Sequence, residues 1–227
     1  MMKSKIKLLI LTLAVCAVAF AGVWAFTSGG LRLSSSGQII TVKDDSQNWQ
    51  LTLVNADNPV PRGWNSEFTQ LSNGEKVDAR IYPDLQQMFD DMRAQGIYPF
   101  VRAGYRSQEE QERVLDNKIA AYQSEGYSKS KARSLALETV AEPGTSEHEL
   151  GLAVDINAKE GRSTGDEVYD WLTENAYKYG FILRYPSDKA EITGIDYEPW
   201  HYRYVGKDAA KKIYESGQCL EEYLNNN

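Results

Sequence analysis

The chain has 227 residues, 42% hydrophobic and 25% charged, with a mean hydropathy of −0.50. That is enough for one domain with a real hydrophobic core, and it excludes wholesale disorder and a polytopic membrane protein. Asp and Glu outnumber Lys and Arg by 32 to 25, giving a net charge of −7, and no basic stripe of a nucleic-acid-binding protein is present.

The one long apolar run comes first. Lys3, Lys5 and Lys7 precede residues 8–26, which carry no charge. Residues 1–26 therefore read as a signal peptide or a membrane anchor. Ala19-Phe20-Ala21 offers a cleavage site; the run of about 19 apolar residues has the length of a membrane span and favours the uncleaved anchor. The flanking lysines keep that end cytoplasmic and put the body of the protein outside, membrane-anchored or secreted. Val15 is larger than the small residue usual before a lipoprotein cysteine, which argues against lipidation of Cys16. With Cys16 in the apolar run, Cys219 is alone in the exported part and no intramolecular disulfide framework is available. Residues 27–48, rich in Ser, Gly and other polar residues, read as a linker, and residues 49–227 as the folded domain.

Alternation predicts a strand over 49–54. Residues 55–64 carry Asn, Asp, Gly and two prolines and predict a loop. Leu85, Met88, Phe89 and Met92 recur at helical spacing over 83–95, with Pro83 in the first turn and Gly96 as the stop. A strand follows over 99–105. Ser107 with Glu110 three residues on forms a capping box that opens a helix to about Ser124. Another helix covers 128–140, and Glu142-Pro143-Gly144-Thr145 breaks it. Residues 152–156 predict a strand, 166–179 a helix stopped by Gly180, 181–185 and 201–205 strands, and 208–214 a closing helix. The order predicts an α+β fold, with a small mixed or antiparallel sheet flanked by helices.

The chain has two histidines, His148 and His201. Taken singly, each is an ordinary surface or core residue; their company changes that. Asp155 interrupts the apolar run Leu152-Ala153-Val154 and Ile156, and a buried carboxylate is costly unless it is paired with a cation or binds a metal. An Arg or Lys partner satisfies it; so does zinc, which accepts His nitrogen and Asp oxygen, three protein ligands plus water making a catalytic site. His148 and Asp155 are seven positions apart, so a continuous strand would put them on opposite faces. A break at Gly151 is required. His148-Glu149 starts like the helical H-E-x-x-H zinc motif, but position 152 is Leu, so the pattern fails and Glu149 reads as a structural acid. Glu198 is the better general base, three residues from His201 across the constraining Pro199. Trp200 reads equally as a pocket wall or as core. Arg106 sits where a strand meets a capped helix and suits a carboxylate or oxyanion clamp. Gln111 lies one turn further along that helix, and Ser146 is placed to donate to bound peptide.

Ala103-Gly104-Tyr105-Arg106-Ser107 with Gln111, Pro143-Gly144-Thr145-Ser146-Glu147-His148 through Asp155, and Glu198-Pro199-Trp200-His201 together resemble the VanY-type D-alanyl-D-alanine carboxypeptidases, zinc peptidases with S-x-H-x6-D and E-x-W-H motifs. Leu53-Val54-Asn55 and Asn58-Pro59 resemble the family's entry segment, so the resemblance spans roughly residues 50–215. The family more often has Ser where this chain has Ala103. The resemblance implies zinc held by His148, Asp155 and His201, Glu198 as catalytic base, Arg106 steadying the substrate carbonyl, and Ser146 and Gln111 binding peptide. It implies a D,D-carboxypeptidase acting on peptidoglycan stem peptides. Three alternatives stand beside this, the first two being an L,D-carboxypeptidase trimming tetrapeptide stems and a non-catalytic zinc-containing module that binds the wall. A metal-free domain with a salt-bridged Asp155 is the third.

Overall fold

The computed structural model describes residues 31–33, 39–41 and 48–226, in two compact units, Met1–Trp49 and Gln50–Asn227. In the first, β1 (Leu31–Leu33) and β2 (Ile39–Thr41) pair antiparallel, Leu31 opposite Thr41, within the stretch read as linker. The apolar run at 8–26, its cleavage site and Cys16 lie outside the described residues. No described helix is long and apolar enough to cross a membrane.

The second unit is α+β, as expected. Its centre is a four-stranded antiparallel sheet in the order β5 (Pro99–Ala103), β6 (Ala153–Ala158), β8 (His201–Tyr204), β7 (Phe181–Leu183). A short hairpin, β3 (Phe68–Gln70) with β4 (Lys76–Asp78), lies before it in sequence. The helices are α1 (Tyr82–Ala94), α2 (Gln108–Ser124), α3 (Lys129–Leu137), α4 (Gly165–Asn175), α5 (Ala190–Thr193), α6 (Lys207–Ser216) and α7 (Leu220–Asn225).

Local chemistry accounts for most of these elements. In α1 the four residues at helical spacing, Leu85, Met88, Phe89 and Met92, are the buried ones. Each such burial stabilises by about 1.5–3 kcal/mol before chain entropy is counted. In α2 the Ser107 hydroxyl accepts from the Glu110 amide (3.3 Å) and the Glu110 carboxylate accepts from the Ser107 amide (2.8 Å), which satisfies two orphan donors of the first turn. Leu115 and Ile119 of α2 pack against Ala132 and Ala136 of α3. A second capping box, Thr164 with Glu167, starts α4 slightly earlier than periodicity alone indicates.

The expected strand over 49–54 is not formed. Trp49–Leu51 is a 3₁₀ turn, and the buried Arg203 guanidinium donates to the carbonyls of Gln50 (2.9 Å) and Thr52 (2.7 Å). A side chain takes the hydrogen bonds that a neighbouring strand would have supplied. The β3–β4 hairpin and α7 were not anticipated. Cys219, just before α7, is buried and free.

Candidate active site

Three structural devices bring the site together. The first is strand register: Asp155 of β6 stands directly opposite His201 of β8. The second is the break before β6. Glu147–Leu150 form a 3₁₀ turn, opened by the Ser146 hydroxyl accepting from the His148 amide (3.3 Å) and closed by Gly151 at φ +75°. A Cβ at Gly151 would also stand 2.8 Å from the Phe68 ring, so glycine is needed there twice over. The turn swings His148 to the face that Asp155 occupies. The third is a bulge in β5 between Val101 and Ala103, which ends with Ala103 paired to Asp155. Beyond it Gly104 passes so close to β4 that a Cβ would sit 2.1 Å from the Lys76 carbonyl oxygen.

The His148 Nδ1 lies 2.7 Å from the Gly104 carbonyl oxygen, which can only accept, so Nδ1 carries the proton and Nε2 is left with its lone pair. That Nε2 is 3.4 Å from Asp155 Oδ1, and the same oxygen is 3.0 Å from His201 Nδ1. Ligand atoms of His148, Asp155 and His201 all lie within 4.8 Å of one another. Donors bound tetrahedrally at about 2.0–2.1 Å from one zinc ion stand about 3.3 Å apart. The spacing and the two-nitrogen, one-oxygen donor set therefore fit zinc.

Asp155 uses its other oxygen differently. Oδ2 accepts from Arg106 Nη2 (3.0 Å), so the cation partner and the metal-ligand reading of this carboxylate coexist on separate oxygens. Arg106 Nη1 donates to Gln111 Oε1 (3.0 Å), and Gln111 Nε2 donates to the Ala141 carbonyl (2.8 Å). The guanidinium is thus held on two sides. Glu198 Oε2 stands 3.6 Å from His201 Nδ1. Burial pushes the Glu198 carboxyl up to about 7, against the pull of the His201 and Arg106 charges. Burial lowers the His148 imidazole, with the Arg106 charge acting the same way. Burial also works against a charged His201, but Asp155 and Glu147 outweigh it and hold the imidazole at about 9. Three carboxylates around one imidazole make a nest suited to a cation.

Arg106, Gln111, Ser146, His148, Asp155, Glu198 and His201, the seven residues singled out in the sequence, all line one open cleft of about 270 Å³, with Trp200 on its wall. A larger cavity, about 680 Å³ between α1 and β5, contains none of them. Glu149 accepts from the Gly144 amide (2.7 Å) and so anchors the loop, as its failed motif indicated.

Sequence reasoning missed the support beneath His201. Glu147 Oε1 accepts from Arg184 Nε (2.8 Å) and Arg203 Nη1 (2.7 Å), and Arg184 pairs again with Glu221 (2.6 and 2.9 Å). Asn55 of the entry segment donates to Glu221 (3.1 Å). Glu147 Oε2 faces His201 Nε2 at 3.8 Å, and neither atom has a hydrogen-bond partner. The signal was present: Arg184 and Arg203 interrupt apolar strands as Asp155 does. Tyr185, whose ring centroid is 4.8 Å from that of His201, was also missed.

Residues 74–207 match the family described as VanY, D-alanyl-D-alanine carboxypeptidase. A D-alanyl-D-alanine carboxypeptidase of Enterococcus faecalis is 59% identical over 181 residues, 80% of this chain and 68% of that protein. Among solved structures, a VanY D,D-pentapeptidase from a VanB-type vancomycin resistance cassette, in complex with Zn(II), superposes with a TM-score of 0.77 at 59% identity, covering 78% of this chain and 99% of the other. An LD-carboxypeptidase superposes with a TM-score of 0.64 at 33% identity, covering 87% and 94%. The chain belongs to the VanY family of D-alanyl-D-alanine carboxypeptidases.

Proposed function

We propose that this protein is a zinc-dependent D,D-carboxypeptidase that releases the terminal D-alanine from peptidoglycan stem peptides outside the cytoplasmic membrane. The observation that carries the reading is the convergence of His148, Asp155 and His201 in one cleft, with Glu198 and Arg106 on either side. In this reading His148 Nε2, Asp155 Oδ1 and His201 Nδ1 hold the zinc. When bound, zinc lowers the pKa of water towards about 7 and polarises a carbonyl.

The chain's own residues do the rest. Glu198 takes a proton from the attacking water at its carboxylate as the water oxygen bonds to the peptide carbonyl carbon. It passes that proton to the amine nitrogen as the carbon–nitrogen bond breaks, leaving a shortened stem carboxylate and free D-alanine. Arg106, braced by Asp155 and Gln111, faces the negative charge that develops on the carbonyl oxygen; a braced donor loses little entropy at that moment. Ser146 and Gln111 serve the bound peptide.

Residues 1–26 serve as signal or anchor, 27–48 as linker and 49–227 as the catalytic domain, an arrangement that puts the cleft on the same side of the membrane as its substrate. Fractionation of cells expressing the full chain tests this: an anchor leaves it in the membrane, and cleavage leaves a shorter protein in the wall or medium.

A second reading, an L,D-carboxypeptidase, draws on the likeness to the LD-carboxypeptidase at 33% identity; the 59% identity to a D,D-enzyme outweighs it. A non-catalytic wall-binding module would have no use for the base and the anion-stabilising arginine together. Incubating the zinc-loaded protein with a stem pentapeptide ending in D-Ala-D-Ala and a tetrapeptide ending in one D-Ala separates these. D-alanine from the pentapeptide alone is the expected result. Release from the tetrapeptide favours the L,D reading, and release from neither favours the binding module.

A further inference from the structure

The cleft contains a second cation, and neither the motifs nor the reaction above give it a role. Lys118 lies on α2 with Gln111 and Val114, and all three line the cleft. Their spacing puts them on one stripe of the helix, with Lys118 about 10 Å along the axis from Gln111. The side chain is half-buried. Its ammonium is 5.3 Å from the Tyr122 ring centroid and joins none of the ion pairs among the described residues. Arg106, by contrast, spends both its terminal nitrogens on Asp155 and Gln111. The Lys118 charge reaches Glu198, where it opposes the upward push of burial.

A half-buried lysine that lines a substrate cleft, without a carboxylate of its own, is a receptor for one. We propose that Lys118 recognises a carboxylate of the substrate and so determines which peptides the cleft accepts. This rests on the peptidase reading of the cleft. Two carboxylates of a stem peptide have the required chemistry: the terminal one, on the departing D-alanine, and a free acidic group on the stem itself. Both are anchored by the peptide's position in the cleft, so the pairing is felt in binding and not in the chemical step.

The test uses the zinc-loaded full chain as wild type, Lys118→Met and Lys118→Arg. Met keeps the aliphatic stem and the helix propensity of the position. Substrates are a stem pentapeptide and the same peptide with its internal acidic group amidated; its C-terminal amide serves as a competitive inhibitor. Lys118→Met is expected to raise KM for the free acid roughly tenfold or more, with kcat within about twofold and an unchanged melting temperature, and Lys118→Arg to restore KM. If the rise persists with the internally amidated peptide, and the C-terminal amide inhibits wild type and Lys118→Met alike, the terminal carboxylate is the partner. If it vanishes with the internally amidated peptide, the stem carboxylate is. An unchanged KM in Lys118→Met, or an equal loss for peptides lacking either carboxylate, overturns the role of Lys118. A wild type that releases no D-alanine from any peptide overturns the peptidase reading instead.

Discussion

Glu147→Gln is the most informative substitution outside the cleft. It exchanges a carboxylate for an amide of nearly the same shape, so packing is preserved while one charge is removed. Glu147, Arg184 and Arg203 are fully buried and Glu221 nearly so; the four form a charge-balanced cluster. After the change two buried guanidinium groups share one carboxylate. Both arginines donate to Glu147 Oε1, so the amide can keep its oxygen there and turn its N–H donors to the position of Oε2, facing His201 Nε2. A unit charge pair at 4 Å is worth about 4 kcal/mol at an effective dielectric constant of 20, and breaking one partner of a buried pair costs about 3–5 kcal/mol. At about 2–4 °C per kcal/mol for a domain of this size, the melting temperature should fall by about 6–20 °C. Scanning calorimetry of the metal-free protein at pH 7 reads this directly. Glu215→Gln, which breaks an exposed pair with Lys211 at 3.8 Å, serves as control and should stay within about 0.5 kcal/mol. A second readout follows from Glu147 Oε2 facing His201 Nε2. Loss of such a partner behind a metal-binding histidine weakens metal affinity about 10–100-fold, measurable by competition with a chelator. A melting temperature within about 2 °C of wild type, together with unchanged zinc affinity, would refute the argument that this cluster supports the domain and orients His201.

Glu198→Ala should bind zinc with wild-type stoichiometry and lose D-alanine release by at least about 100-fold; turnover near wild type would remove Glu198 from the base role. Stripping zinc with a chelator should abolish release and lower the melting temperature, both restored by zinc; at a free concentration of 100 times Kd the linkage is worth about 2.7 kcal/mol, and a melting curve indifferent to zinc contradicts the assignment of His148, Asp155 and His201. Stability should also fall in acid. Burial works to raise the Glu221 carboxyl, but the Arg184 charge outweighs it and holds the group below its ordinary 4.5, so its contribution is present above that value and is lost as pH falls through the folded-state pKa. Glu221→Gln should therefore be less stable at pH 7 and show a flatter acid limb in urea titrations, whereas parallel curves for the two proteins would exclude this origin.

Much of the local structure was legible in the sequence, and so were the candidate residues that meet in one cleft. Pro83 and Gly96 bracket α1, the Ser107–Glu110 pair opens α2, and Gly180 stops the helical stretch before β7, because such signals act within one or two turns. The scarcity of histidine made the site conspicuous, and Asp155 stood out as a charge in an apolar run. Less local features were not legible. The Asn73-Gly74 turn marks a hairpin, yet β3 and β4 are three residues each and mostly exposed on β3, too little alternation to declare strands.

What the sequence by itself determined was therefore the set of chemical groups, their order, and the helices between them. These follow from propensity, capping and periodicity, all set by near neighbours. Only the tertiary structure decided that β8 lies beside β6 with His201 opposite Asp155, and that Arg106 reaches a carboxylate 49 positions away. It alone gathered Glu147, Arg184, Arg203 and Glu221 beneath the site, and made the 49–54 segment surrender its strand to the Arg203 guanidinium. Several strands have the same local pattern and could pair equally well in isolation. The choice among them comes from the summed burial of whole faces and from the high cost of any buried charge left unpaired, neither of which resides in one segment.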